Sequence, residues 1–102
     1  MFQNSQTEHL EEIQLDELLE DSGSGEVSEL LVYNDDHNTF DWVIESFMEV
    51  LEHSHEQSEQ LALIIHFKGK ATVKTAPFRE LKPKKDALIE RGLSAVIEKM
   101  EA

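Results

Sequence analysis

Cysteine is absent from this chain of 102 residues. Disulfide bonds, thiolate-bound zinc and a cysteine nucleophile are therefore excluded together. The redox compartment cannot be inferred either, because that inference depends on cysteine usage. The length fits one small domain with a single hydrophobic core.

Long hydrophobic runs are absent as well. The longest extends from Leu61 to Ile65, far short of the roughly 20 residues that span a bilayer as a helix. The first residues include acidic side chains where a secretion signal would carry basic ones. We therefore expect a soluble, cytoplasmic protein.

Positive charge is missing from the first two thirds of the chain. All nine Lys and Arg residues lie at or after Lys68, whereas 17 of the 22 acidic residues precede it, and the formal net charge is −13. Such a surface repels a phosphate backbone, so a nucleic acid is not an expected partner. A solvated acidic surface that aids solubility accounts for part of this charge.

The first 26 residues contain no basic side chain, and a Ser-Gly repeat at 22–25 is typical of linkers. We predict a flexible acidic N-terminal extension over 1–26 and a folded domain over 27–102. The alternative is a segment that orders against a partner, since five apolar residues could form a stripe on a short helix: Leu10, Ile13, Leu15, Leu18 and Leu19.

Hydrophobic spacing and turn residues predict six elements in the folded part. They are a strand over 28–33, a helix over 39–52, a helix from Ser54 to about His66, a strand over 71–75, a helix over 84–91 introduced by Pro83, and a strand over 93–97. The residues predicted to face inward are, helix by helix, Phe40, Val43, Ile44, Phe47, Met48 and Leu51, then Leu61, Ala62, Ile64 and Ile65, then Leu88 and Ile89. The order βααβαβ predicts an α+β domain with a three-stranded antiparallel sheet packed against three helices.

Within this order, the stretch 33–43 concentrates hydrogen-bond acceptors between the first strand and the first helix. Asn34, Asp35 and Asp36 favour a turn because their side chains bond nearby backbone groups, and Asn38 stands where a helix N-cap is expected. Carboxylate and amide oxygens on an anchored turn suit a ligand that donates hydrogen bonds and carries positive charge. A small cation or an amine would fit.

His66 ends the longest apolar run, just before a turn that contains Gly69. A capping or partly buried structural histidine is the simplest interpretation. A neutral imidazole also offers one acceptor and one donor, so His66 could close the site that Asn34 and Asp35 open.

A metal site would draw on Asp35, Asp36, His37 and His66, because carboxylate and imidazole groups both bind divalent cations. The spacing does not follow an EF-hand, since the alternating oxygen ligands stop after Asp36. We expect neither a metal nor another cofactor.

A hydrolase could combine Asp35 and His66 with a serine. There is no Gly-x-Ser-x-Gly motif, so nothing marks a nucleophile. Three serines are expected on helix surfaces or at helix caps: Ser46, Ser54 and Ser58. We expect a protein that is not an enzyme.

Two motifs together resemble a known family. Asn34-Asp35-Asp36 before a hydrophobic helix, and His66-x-x-Gly69-Lys70-Ala71 after a second one, closely resemble ClpS, the adaptor of the bacterial Clp protease that recognises N-terminal degradation signals. The resemblance is specific over Leu30 to Ala71 and weak beyond it. The βααβαβ order agrees with the fold that the resemblance implies.

The resemblance implies roles for individual positions. The free α-amino group of a substrate would be bound by Asn34, Asp35 and His66, with Asp36 in support. The first side chain would enter a pocket formed by Asn38, Phe40, Val43, Phe47, Ala62 and Ile65. The surface that meets the unfoldase would include Glu80, Lys84 and Lys85. For Val43 and Phe47, ordinary core packing is an equal alternative.

The family commonly has Thr-Pro-Met where this chain has Asn38-Thr39-Phe40, and often Met where it has Ala62. Phe40 would make the rim of the pocket bulkier, and Ala62 would make its wall residue smaller. The two changes leave open which first residue of a substrate is preferred among Leu, Phe, Tyr and Trp. The implied partners are the N-terminal domain of a Clp-family AAA+ unfoldase and N-degron substrates, bound by a monomer.

One alternative belongs to a different class of protein. A βααβαβ interaction module of the ribosomal-stalk C-terminal type would bind its factors through a helical surface. It would need none of Asn34, Asp35 and His66.

Overall fold

The computed structural model of the protein describes residues 26–100. The elements are β1 (Val27–Tyr33), α1 (Phe40–Leu51), α2 (His55–Lys68), β2 (Lys70–Pro77), α3 (Phe78–Glu90) and β3 (Ser94–Lys99). The predicted order βααβαβ and the antiparallel three-stranded sheet are confirmed. The extension predicted over 1–26 lies outside the described residues except for Glu26.

The position of β1 in the sheet determines where the following turn lies. The strand order is β2-β1-β3, and β1 is antiparallel to both neighbours. Tyr33, the last residue of β1, therefore pairs with Lys70 and Ser94, the first residues of the other two strands. Because α2 ends just before β2 and α3 ends just before β3, the chain leaving β1 passes between the C-terminal ends of two helices.

Helix α1 is capped by Thr39, not by Asn38 as predicted. The Thr39 backbone is extended, and its hydroxyl accepts a 3.0 Å hydrogen bond from the amide of Trp42. Asn38 is one residue too early for this role and bonds elsewhere. The predicted buried face is correct for Ile44, Phe47 and Leu51, but Phe40 and Met48 are each 38% exposed and do not belong to it.

Helix α2 begins at the predicted cap, since Ser54 accepts from the amide of Gln57 at 3.1 Å. It ends at Lys68, two residues later than predicted, and Gly69 stops it in the left-handed conformation with φ 96°. Its inner face is narrower than predicted. Ala62 and Ile65 are buried, whereas Ile64 is 38% exposed and points away from the core.

Helix α3 begins at Phe78, about one and a half turns before the predicted start at Lys84. Pro83 lies inside the helix and does not introduce it. Burial of Phe78 and Leu81 stabilises the first turns, while exposed Pro83 lies where water can replace the missing amide donor. Leu88 is buried as predicted, but Ile89 is 47% exposed and does not face inward.

The hydrophobic core lies between the sheet and the three helices. Its members are Leu30, Val32, Phe47, Leu51, Ile65, Ala71, Val73, Ala76, Leu81, Leu88, Leu93 and Ala95. Every element contributes, so the turn after β1 is anchored to a packed scaffold. Between residues 26 and 100, no helix is long and apolar enough to cross a membrane.

The cap of α1 provides a test of this local structure. Thr39→Ala should lower the free energy of unfolding by about 1 kcal/mol, because the amide of Trp42 loses its acceptor. Thr39→Ser keeps the hydroxyl oxygen and should lower the free energy of unfolding much less. Urea denaturation of the three proteins measures the difference, and equal losses for Ala and Ser would contradict the capping role.

Candidate functional site

A cavity of about 280 Å³ opens beside the turn that follows β1. It is bounded by that turn, by the start of α1 and by the second half of α2. The residues that line it are Asn34, Asp35, Asp36, Asn38, Phe40, Val43, Ala62, Ile65 and His66. Its size is at the lower end for small-molecule pockets and suits one large side chain.

The turn is anchored to the end of α2 through Asn34. Its backbone amide donates a 2.8 Å hydrogen bond to the carbonyl of Gly69, the residue that stops α2. This bond follows from the pairing of Tyr33 with Lys70, which places Asn34 next to Gly69. His66 lies in the last turn of α2, and Asn34 and His66 line the same cavity.

Asp35 organises the rest of the turn. Its Oδ1 accepts from the backbone amides of His37 at 2.8 Å and Asn38 at 2.9 Å. The Asn38 side-chain amide donates to both carboxylate oxygens, at 3.1 Å and 2.9 Å, and also to the carbonyl of Gly92 at 2.9 Å. Asn38 thus links the turn to the end of α3, which is a role that the N-cap prediction did not include.

Burial tends to raise the pKa of Asp35, but other interactions outweigh it. Hydrogen bonds from the backbone amides of Asn38 and His37, the bond from the Asn38 side chain and the charge of nearby His37 hold the pKa of this carboxyl below its ordinary value. Asp35 is therefore ionised at neutral pH. The site carries a negative charge whose orientation is determined by the backbone.

Acceptor capacity remains open around the cavity. Among the described residues, Asp35 Oδ1 receives three donors, whereas Oδ2 receives only the Asn38 side-chain amide and keeps a lone pair for a ligand. Within residues 26–100, the side chains of Asn34 and His66 form no hydrogen bond, and the His66 ring contacts Phe67 edge-on at 4.8 Å. Three separate groups can therefore accept from one bound donor group.

The remaining part of the cavity lining is apolar. Ala62 and Ile65 are buried on α2, Val43 is partly buried on α1, and Phe40 is 38% exposed at the first position of α1. The acceptors and the apolar wall belong to the same cavity. A ligand that fills it must combine a hydrogen-bond donor with an apolar group.

Not every predicted pocket residue lies here. Phe47 does not line the cavity, because its side chain is completely buried in the core. Val43 and Phe47 are about one turn apart on the inner face of α1, but Val43 is partly buried, whereas Phe47 is completely buried in the core. For Phe47 the core-packing alternative is correct.

The serines differ from the prediction in two cases. Ser54 caps α2, as expected, but Ser46 and Ser58 are completely buried and do not lie on helix surfaces. Neither hydroxyl has a hydrogen-bond partner in the described part of the chain.

No group of three His, Cys, Asp or Glu residues suited to a metal ion occurs among residues 26–100.

The residues predicted to meet an unfoldase lie on α3, away from the cavity lining. Glu80 is 3.9 Å from Lys74, and Lys85 is 3.8 Å from Asp86. Lys84 is partly buried on the same helix. These contacts are local ion pairs with modest energies.

One contact to the site was missed from the sequence. The turn after α3 supplies the Gly92 carbonyl to Asn38, and the neighbouring Arg91 carbonyl accepts from Trp42 Nε1 at 2.9 Å. Gly92 is recognisable in the sequence as a helix stop, but no local signal pairs it with Asn38, which lies 54 positions earlier. Only the strand register indicates that the two turns meet.

Comparisons with known proteins identify the family of the chain. The family model described as "ATP-dependent Clp protease adaptor protein ClpS" matches residues 26–96. No curated protein matches the chain. Among solved structures, Agrobacterium tumefaciens ClpS2 bound to L-phenylalaninamide is similar, with a TM-score of 0.64 and 20% sequence identity over 74% of this chain and 98% of that one.

At that level of identity, the structural match shows the fold alone. The family match covers more than half of the chain and includes both motifs on which the resemblance depends. It also decides against a module of the ribosomal-stalk type. The chain belongs to the ClpS family of Clp protease adaptors.

Proposed function

We propose that the cavity binds the free α-amino group and the bulky hydrophobic first side chain of a protein substrate. The observation that carries this proposal is the joining of three open acceptors and an apolar wall in one cavity of about 280 Å³. An amine attached directly to a hydrophobic side chain is the ligand that uses both halves.

The acceptor half suits an α-ammonium group. That group has three N–H donors and one positive charge, and Asn34, Asp35 Oδ2 and His66 provide three acceptors with one negative charge. The C-terminal end of α2 adds a partial negative charge beside Asn34. Acetylation of the amine removes both the charge and two of the donors.

The apolar half suits a single side chain. Burying Leu or Phe contributes roughly 1.5–3 kcal/mol, which is a large share of the energy of a small interface. Phe40 at the rim and Ala62 on the wall determine how wide and how deep the pocket is. The related Agrobacterium protein was solved with L-phenylalaninamide, a molecule that has a free amine and a phenyl ring.

Delivery to a Clp-family AAA+ unfoldase completes the proposed function. We propose that the unfoldase engages the extension over 1–26. We also propose that the N-terminal domain of the unfoldase contacts the α3 surface around Glu80, Lys84 and Lys85. The chain would act as a monomeric, cytoplasmic adaptor without enzymatic activity of its own. The family match supports a partnership with the Clp protease.

A peptide comparison tests the proposal. A fluorescent peptide that begins with Phe should bind, whereas the same peptide with an acetylated N-terminus or with Ala as its first residue should bind at least about tenfold more weakly. Fluorescence anisotropy measures the three affinities. If all three peptides bind alike, the proposed function is wrong.

The charge of Asp35 is a second test. Asp35→Asn keeps an oxygen for the amides of His37 and Asn38 but loses the negative charge, so peptide affinity should fall about 10- to 100-fold. Asp36→Asn removes one negative charge from an exposed neighbouring residue, and peptide affinity should fall less than about threefold. Equal losses would mean that general attraction, and not the Asp35 contact, binds the amine.

Ala62 allows a test of pocket width. Ala62→Met adds bulk to the buried wall and should weaken binding of a Trp- or Phe-initiated peptide more than that of a Leu-initiated one. Ile64→Met, on the same helix but outside the cavity, is the matched control. An unchanged order of peptide affinities in Ala62→Met would remove Ala62 from the pocket wall.

A further inference from the structure

Trp42 lies on α1 outside the cavity, yet it is connected to the cavity through a turn. Its indole Nε1 donates a 2.9 Å hydrogen bond to the carbonyl of Arg91, while Asn38 Nδ2 donates a 2.9 Å bond to the carbonyl of Gly92. Two consecutive carbonyls of the turn between α3 and β3 thus accept from two side chains at the start of α1. Only Asn38 of this pair lines the cavity.

The amides of the same turn are already used by α3. Arg91 N bonds back to Ala87 O at 3.2 Å, Gly92 N to Ile89 O at 2.9 Å and Leu93 N to Leu88 O at 3.0 Å. These bonds leave the carbonyls of residues 91 and 92 directed towards α1. The turn therefore has one set of contacts to its own helix and a separate set to Trp42 and Asn38.

The Arg91 guanidinium packs against the indole ring of Trp42. Its guanidinium lies 5.3 Å from the centre of the Trp42 ring and forms an ion pair with Glu49, also on α1. Such a stacked cation stabilises an indole in one orientation. The Trp42 N–H is thus held in line with the Arg91 carbonyl.

We propose that Trp42 is a positioning residue for the amine site. By holding the turn at Arg91 and Gly92 against α1, it determines where the Gly92 carbonyl lies, and that carbonyl fixes the Asn38 amide that contacts both oxygens of Asp35. Gly92 has φ +94°. The Leu93 amide holds the peptide unit of the Gly92 carbonyl to Leu88, and the Trp42 bond to the preceding carbonyl adds a second restraint from the side of α1. The effect of Trp42 on the orientation of Asp35 is independent of the proposed function. The effect of Trp42 on peptide binding rests on the proposed function.

Trp42→Phe tests the proposal because it keeps an aromatic ring against the core and removes the indole N–H. A carbon-detected NMR titration of the side-chain carboxyl groups, performed on the full chain without peptide, measures the pKa of Asp35. We expect this pKa to rise towards its ordinary value as the Asn38 bonds weaken. Affinity for the Phe-initiated peptide should fall about three- to tenfold, as for the loss of one hydrogen bond.

A control variant separates positioning from general destabilisation. Ile97→Val trims a partly buried residue that packs on the core and lies outside the turn. It should keep the wild-type pKa of Asp35. If Trp42→Phe also keeps it, the proposal is overturned, whether or not the wild type binds peptide. A wild type that does not bind the peptide contradicts the proposed function instead.

Discussion

The central position of β1, antiparallel to both of its neighbours, is the constraint on which the site depends. It brings the C-terminal end of β1 to the N-terminal ends of β2 and β3, and hence to the ends of the helices that precede them. The turn after β1 can then bond to Gly69 on one side and to Gly92 on the other. Carbonyls at the two helix ends and the Asp35 carboxylate make this place favourable for a cation.

Asp35 has a double role in this arrangement. Its Oδ1 is used by the protein itself, since it satisfies the amides of His37 and Asn38, while Oδ2 accepts from the Asn38 side chain and keeps an open lone pair. The same residue therefore shapes the turn and provides the charge. Because the shaping bonds also lower the pKa of Asp35, the charge persists when no ligand is bound.

The sequence predicted the order of the elements well, because hydrophobic periods and helix stops such as Gly69 are local signals. It was less successful where tertiary contacts outweigh local preference. Pro83 indicated a helix start, yet burial of Phe78 and Leu81 begins α3 earlier. Ile64 and Ile89 were expected inside because they are apolar, but helix geometry turns both outward.

The cavity lining was predictable to a greater extent, because the resemblance to a family carried specific positions. Phe47 was the exception, since spacing along a helix gives the direction of a side chain but not its depth. The capping role of Thr39 and the bond from Asn38 to Gly92 were not predictable. Neighbouring residues with similar side chains compete for the cap, and the partner of Asn38 is distant in sequence.

The central claim is that one cavity recognises an amine together with an apolar side chain. Amide NMR spectra recorded during a titration with L-phenylalaninamide, and with its N-acetylated form, test it most directly. Saturable shifts are expected over residues 34–38 and 62–66 for the free amine, and none are expected there for the acetylated compound. Shifts on another surface, or equal shifts with both compounds, would contradict it.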